Sequence, residues 1–266
     1  MGHAEHFQRI ERADGPGLIA FVVDDLPPEG ESQWHRHVRG QFMYVESGLV
    51  CVRTRLGWWT LTPHRVGWMP PGEEHTASVI QSTRGWGMFV APQAAIGMPE
   101  EPAVLGANEL MRALVHRASA WADSDRLDDE QQRIMDVLMD EMRRARIADY
   151  PLHLPMPADR RLLRIALGLL AEPHDNRSLE AWANWAGLSS RSLSRLFRSE
   201  TGCSFAQWRQ QARLSRALEQ LAVGDPVADV ADSLGYVSVS AFVAMFRRQF
   251  GQPPARYFAQ RHAPAT

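Results

Sequence analysis

The stretch Ser178–Gly202, SLEAWANWAGLSSRSLSRLFRSETG, decides the fold, because Pro226–Gly251, PVADVADSLGYVSVSAFVAMFRRQFG, repeats its pattern. At one offset Leu179 matches Val227, Ala183 matches Ala231 and Gly187 matches Gly235. With one residue added after the turn, Leu193, Phe197, Arg198 and Gly202 fall on Phe242, Phe246, Arg247 and Gly251. A self-match of this kind is one supersecondary unit used twice.

Each copy has the parts of a helix-turn-helix. Ser178 is placed to cap a helix whose apolar positions Leu179, Trp182, Ala183 and Ala186 recur at helical spacing. Gly187 allows a left-handed turn, and Leu188 fills the angle between helices. Ser189 or Ser190 caps the next helix, which buries Leu193, Leu196 and Phe197, turns Arg191, Ser194, Arg195 and Arg198 outward, and stops at Gly202. In the second copy Asp225-Pro226 reads as a cap followed by a first-position proline, Gly235 is the turn, and Phe242, Met245 and Phe246 form the packed face. Between the copies, residues 205–223 contain neither Gly nor Pro. As a helix this run is a rod of roughly 28 Å, close to the roughly 34 Å between successive major-groove faces of a duplex. Helix pairs with arginines on the wet face also occur in ordinary bundles, but two copies on such a spacer favour a DNA reader.

The segment Gly235–Phe258, GYVSVSAFVAMFRRQFGQPPARYF, resembles the carboxy-terminal signature of AraC/XylS-type transcription regulators. The resemblance covers about the last third of the chain. It implies seven helices carrying two helix-turn-helix units. It also implies base contacts from the third, sixth and seventh residues of the first recognition helix, carried over here as Arg191, Ser194 and Arg195. The positions carried over for the second are Ser240, Ala241 and Ala244. Arginine pairs bidentately with a guanine edge, whereas Ala241 and Ala244 offer only apolar contact, for instance to a thymine methyl. The first unit is therefore expected to carry most of the specificity, and the second to hold the backbone through Arg247 and Arg248.

The 266 residues are long enough for two domains, and the net charge of −2 hides an asymmetry: from Ala158 onward the balance is +5, before it −7. An acidic amino-terminal part joined to a basic carboxy-terminal part suits a sensor coupled to a DNA reader. Every basic residue apart from the histidines is arginine. Cys51 and Cys203 lie far apart in the sequence and make no disulfide framework, which suits a reducing cytoplasm. No apolar run is long enough for a bilayer span and the start shows no signal-peptide core, so a cytoplasmic protein with no membrane partner is expected.

Residues 17–90 read as short strands bounded by Gly and Pro, with hairpin connections expected at Ser47-Gly48 and Leu56-Gly57. Within them, His35-x-His37-x3-Gln41-x6-Gly48 followed by Pro70-x-Gly72-x2-His75 resembles the two motifs of the cupin barrel. In metal-binding cupins these positions converge inside the barrel. Here Gln41 replaces the usual acid, which keeps an oxygen ligand and removes its charge. Three neutral imidazoles and an amide oxygen still suit a divalent transition metal such as Zn or Ni. A metal-free polar site for a small-molecule effector and a structural hydrogen-bond network are the other readings of the cluster. Trp34, Trp58, Trp59, Trp68 and Trp86 crowd the same region; most read as core, and Trp68 is counted with His35, His37, Gln41 and His75 as an effector-site residue.

The expected class is thus α+β. A cupin-like barrel (1–102) precedes helices carried over as a dimerisation segment (103–148), then a proline-rich linker (149–157) and an all-α DNA-binding domain with two helix-turn-helix motifs (158–266). The helical stripes of the middle segment are Leu110, Leu114, Val115, Ala118, Trp121 and Ile134, Val137, Leu138, Met142; simple cover for the barrel is their other reading. The whole arrangement resembles regulators of neighbouring transport or efflux genes, which implies a homodimer binding double-stranded DNA and a small-molecule effector. A metal-sensing regulator is the main alternative. A metal-dependent cupin enzyme is a lesser one, since no general acid or nucleophile stands beside the histidines.

Overall fold

The computed structural model describes residues 11–124, 126–145 and 152–259. Its elements follow the order β1 (Leu18–Leu26), β2 (Gly40–Thr54), β3 (Gly57–Leu61), β4 (Arg65–Met69), β5 (His75–Val90), β6 (Ala103–Gly106), α1 (Glu109–Ser119), α2 (Asp129–Arg144), β7 (His153–Pro155), α3 (Arg160–Ala171), α4 (Leu179–Trp185), α5 (Ser190–Thr201), α6 (Phe205–Ala222), α7 (Val227–Ser233), α8 (Val239–Phe250) and α9 (Pro254–Ala259). The described chain forms two compact units: residues 11–52 with 61–145, and residues 53–60 with 152–259. The expected 148/149 boundary and residues 149–151 of the linker lie outside the described residues.

In the first unit β1 runs antiparallel to β5, and β4 is antiparallel to both β2 and β6. Because strand side chains alternate, the register sorts residues onto two faces. Phe42 stands opposite Trp68 and Tyr44 opposite Val66, and these join Trp86, Met88 and Val90 in a core closed by Met111, Val115 and Ala118 of α1 and Met135, Leu138, Met139 and Met142 of α2. The other face carries a smaller cluster of Ile19, Phe89 and Phe21. Residues 103–145 thus complete the core of the sheet.

Two local expectations change. Ser47-Gly48 makes no hairpin; β2 continues through it, and Gly48 is required there both by its φ of 100° and because a Cβ would run into Ser82 O and Thr83. The proline-rich stretch after Val90 is followed not directly by helix but by β6 on the β4 edge. Leu56-Gly57 does turn the chain, with Thr54 Oγ1 accepting from the Leu56 and Gly57 amides at 3.0 and 3.2 Å.

The second unit is helical except for two extended pieces. The tip of the β2–β3 hairpin pairs with β7, Gly57 opposite Pro155 and Trp59 opposite His153. Trp58 packs onto a core of Leu154, Leu162, Ile165, Trp182, Leu193, Phe197 and Trp208, and Trp59 stacks on His153 at 4.6 Å. Trp208 Nε1 donates to Pro155 O at 2.8 Å, so the described part of the expected linker is built into this core. Helix α6 spans the interval expected of the spacer, opened by a capping box between Ser204 and Gln207.

Candidate nucleic-acid interface and sensor cluster

The two helix-turn-helix units are the same bonds made twice. Gly187 (φ 69°) and Gly235 (φ 73°) are left-handed turns, and behind them the Leu188 amide donates to Ala183 O (2.8 Å) as the Tyr236 amide donates to Ala231 O (3.0 Å). The recognition helices α5 and α8 are capped by Ser189 and Ser238, whose side chains accept from the amides three residues on, and both end on left-handed glycines, Gly202 and Gly251. Leu193 and Phe197 are buried in α5 as Phe242 and Phe246 are in α8. Of the two caps proposed for α5, Ser189 is the one used. Asp225 caps nothing: Pro226 is the N-cap of α7 and brings no side-chain bond.

Cap aligned with cap, Arg191 falls on Ser240, Ser194 on Val243, Arg195 on Ala244 and Arg198 on Arg247. Ala241 pairs with Ser192 in this register, and Val243 takes the place expected of Ala241 beside the reading positions. The signal was in the sequence, since the offset that aligns Gly202 with Gly251 gives Val243 directly. The one residue added in the second turn lies between Tyr236 and Ser238; it is Val237.

Arg191, Ser194, Arg195 and Arg198 are all exposed, as are Ser240, Ala241, Ala244, Arg247 and Arg248. None of these arginines is bridged to a carboxylate among the described residues. Others of the unit are: Arg161 is held by Asp159, Arg177 by Asp175 and Arg216 by Glu219. Unpaired guanidinium groups on one helix face are what phosphates and base edges require. Along α8 a shallow groove is lined by Val239, Ser240, Val243, Ala244, Arg247, Arg248 and Gly251.

In the first unit His35, His37 and His75 come together, their ligand atoms all within 4.8 Å of one another. Mutual backbone bonds between His35 and His75 draw the two segments side by side. Each ring is oriented by its own neighbourhood: Nδ1 of His35 lies 2.9 Å from Gln33 O, Nδ1 of His75 lies 3.0 Å from Glu73 O, and Nδ1 of His37 bonds Arg39 O. A neutral imidazole that donates through Nδ1 keeps its Nε2 lone pair for a ligand. Burial holds His75 down to about 4, opposed by its bond to Glu73 O, and lowers His37 as well. Gln41 joins them, Oε1 lying 3.2 Å from His37 Nε2, and Phe89 packs edge-on against the His37 ring at 5.3 Å.

Trp68 does not join them. It pairs with Phe42 while Gln41 pairs with Met69, so alternation turns it to the face under α1 and α2, where its Nε1 donates to Pro99 O at 2.8 Å. Trp86 shares that core, and Trp58 and Trp59 belong to the second unit.

A family model for a helix-turn-helix domain matches residues 182–260, and one for the AraC-like ligand-binding domain matches residues 27–93. The HTH-type transcriptional regulator NimR of Escherichia coli K12 is 32% identical over 242 residues, 91% of this chain and 88% of that protein. The chain belongs to the AraC family. This AraC-family regulator is also similar to RipA of Corynebacterium glutamicum, an HTH-type transcriptional regulator, at 36% identity over 39% of this chain and 31% of the relative. The solved DNA-binding domain of AdpA in complex with a target DNA is 35% identical, covering 36% of this chain and 88% of that one, with a TM-score of 0.35. The molecule is a DNA-binding transcriptional regulator with a ligand-binding domain for a small-molecule effector. Among the described residues no helix is long and apolar enough to cross a membrane.

Proposed function

We propose that this regulator senses its effector at His35, His37, Gln41 and His75, with a divalent transition metal of the Zn or Ni class held there as the signal or as the anchor of the small molecule. The observation that carries the reading is the arrangement of the three rings: every Nδ1 is engaged by a backbone carbonyl, and one ring nitrogen of each histidine lies within 4.8 Å of the others. Tetrahedral Zn–N bonds of about 2.0–2.1 Å set ligand nitrogens about 3.3–3.4 Å apart, a distance within reach of this cluster. Such a metal would supply a charge that an anionic or electron-rich effector can bind.

One observation favours a metal-free polar site instead. The His37–Gln41 contact satisfies both groups without an ion if the Gln41 amide is turned to donate. In either case, binding shifts the regulator only to the extent that the effector prefers one of its conformations.

On the DNA side, Arg191, Ser194 and Arg195 read base edges, while Arg198, Arg247 and Arg248 hold phosphates. The proposed homodimer has Leu110 and Val137, the exposed apolar residues of α1 and α2, as its first candidates for contact.

Metal analysis of untagged protein separates the readings. Stoichiometric metal in wild type that is lost from His75→Ala supports the metal site. Metal-free protein that still releases its operator on adding effector, in the presence of chelator, overturns it. A Leu110→Glu/Val137→Glu variant that keeps the wild-type mass in light scattering removes those two residues from the dimer contact.

A further inference from the structure

We infer that Asn176 and Arg213 are positioning residues for DNA binding: together they fix the angle at which α8 is presented relative to α5. The inference rests on the reading above in which both recognition helices reach the duplex. It goes beyond that reading by assigning the control of their phase to the loop before α4.

Arg213, on α6, gathers that loop by three bonds. Its Nε donates to Pro173 O at 2.8 Å, and its Nη2 donates to Asp175 O at 3.3 Å and to Asn176 Oδ1 at 2.9 Å. Asn176 passes the hold on, its Nδ2 donating to Gly235 O at 3.0 Å in the turn between α7 and α8. Because a guanidinium only donates and a carbonyl only accepts, both halves of the Asn176 amide are committed and its partners settle its orientation. The space around this bond is closed as well: a Cβ on Gly235 would meet His174 O at 2.6 Å and Asn176 Nδ2 at 3.0 Å.

The loop is tied equally to the first unit. Arg177 is bridged to Asp175 at 2.6 Å, its guanidinium lies 3.8 Å from the Trp182 ring of α4, and its carbonyl accepts from Arg209 Nη1 at 3.0 Å. Trp182 shares a core with Leu193 and Phe197 of α5, so residues 173–177 stand between the core that carries α5 and the turn that starts α8. Helix α6 sets the distance between the two units; the bond to Gly235 O holds the chain at the point where it turns into α8, and so bears on the direction of that helix. Two recognition helices meet successive groove faces of one duplex only if their phase is kept, and a helix free to swing loses part of its binding energy to being ordered on contact. Asn176 is exposed and lies outside the hydrophobic core, so removing its amide should leave the fold intact and report on geometry alone.

The test uses the full-length protein and an operator that it selects from random duplex DNA. Asn176→Ala is expected to melt near wild type and to bind that operator about three- to tenfold more weakly, with the hydroxyl-radical footprint shortened on the side covered by α8. Arg248→Ala supplies the deciding comparison. In wild type it should weaken binding about threefold or more; in the Asn176→Ala background, where α8 swings free, it should cost less than about twofold further. Arg213→Lys, which keeps the charge and loses the fork, should behave as Asn176→Ala does. If Arg248→Ala costs the same in both backgrounds and the footprint keeps its length, the inference fails and the contact of α8 with DNA stands. If Arg248→Ala has no effect in wild type either, both fail.

Discussion

At the first turn glycine, Gly187, nothing stands within 4 Å of where a Cβ would be; at its counterpart Gly235, a Cβ would stand 2.6 Å from His174 O and 2.9 Å from His174 Cα. Asn176 Nδ2 also donates to Gly235 O at 3.0 Å, tying the second turn to the loop before α4. The outer faces differ as much, with Arg191, Ser194 and Arg195 on α5 against Ser240, Val243 and Ala244 on α8. What the units share is what folding needs: the caps, the left-handed glycines and a pair of aromatic or aliphatic side chains turned inward. What they do not share is set by the surroundings of each, by the loop on one side and by the ligand on the other.

The largest effect tests the shared part. Phe197→Ala and Phe246→Ala, both buried completely, should each cost about 3–5 kcal/mol in denaturant unfolding. A marked difference between them would break the equivalence of the two cores. Next comes the turn. Gly187→Ala costs about 1 kcal/mol of left-handed strain, whereas Gly235→Ala adds a collision for a total of about 2–4 kcal/mol, so equal melting temperatures would contradict the tethered second turn.

On the outer face, Arg195→Ala should weaken specific binding by about 1–3 kcal/mol and relax one base position. A loss uniform across sequences would make that residue a phosphate contact. Ser189→Ala and Ser238→Ala should each cost about 1 kcal/mol, alike in both units because both caps accept an amide bond. The smallest signature is that of Arg248→Ala, which should lower the salt dependence of binding by about one unit of log–log slope without changing sequence preference; an unchanged slope removes it from the backbone contacts.

The helical half was legible because its punctuation is local. Ser178, Ser189, Ser204 and Ser238 cap, Gly202 and Gly251 stop, and the apolar spacing between them leaves little choice of inner face. Errors arose where a residue's meaning depends on distant partners. Ser47-Gly48 has the composition of a turn, but Gly48 is there because a neighbouring strand passes close to it. His35, His37, Gln41 and His75 could be brought together from motif spacing, although His35 and His37 precede β2 and it is the bridge between His35 and His75 that sets the two segments side by side. Strand parity excludes Trp68 once its partner Phe42 is known, and strand register is not written in any single strand. Trp58 and Trp59 sit among the strand residues in sequence yet serve the helical unit, because long-range pairing with His153–Pro155 decides their company.

That last pairing bears on how modular such a regulator can be. The compact unit that carries the recognition helices is not one continuous length of chain, since eight residues, Arg53–Thr60, are borrowed from far upstream, with Trp58 lying under the guanidinium of Arg53 at 4.1 Å and against the helical core. A chimera spliced in the proline-rich stretch, grafting a foreign sensor onto residues 152–266, would leave β7 without its strand partner and open the place that Trp58 fills. Exchange of the sensor in this protein therefore has to carry the hairpin tip with the reader, or supply a substitute of matching shape.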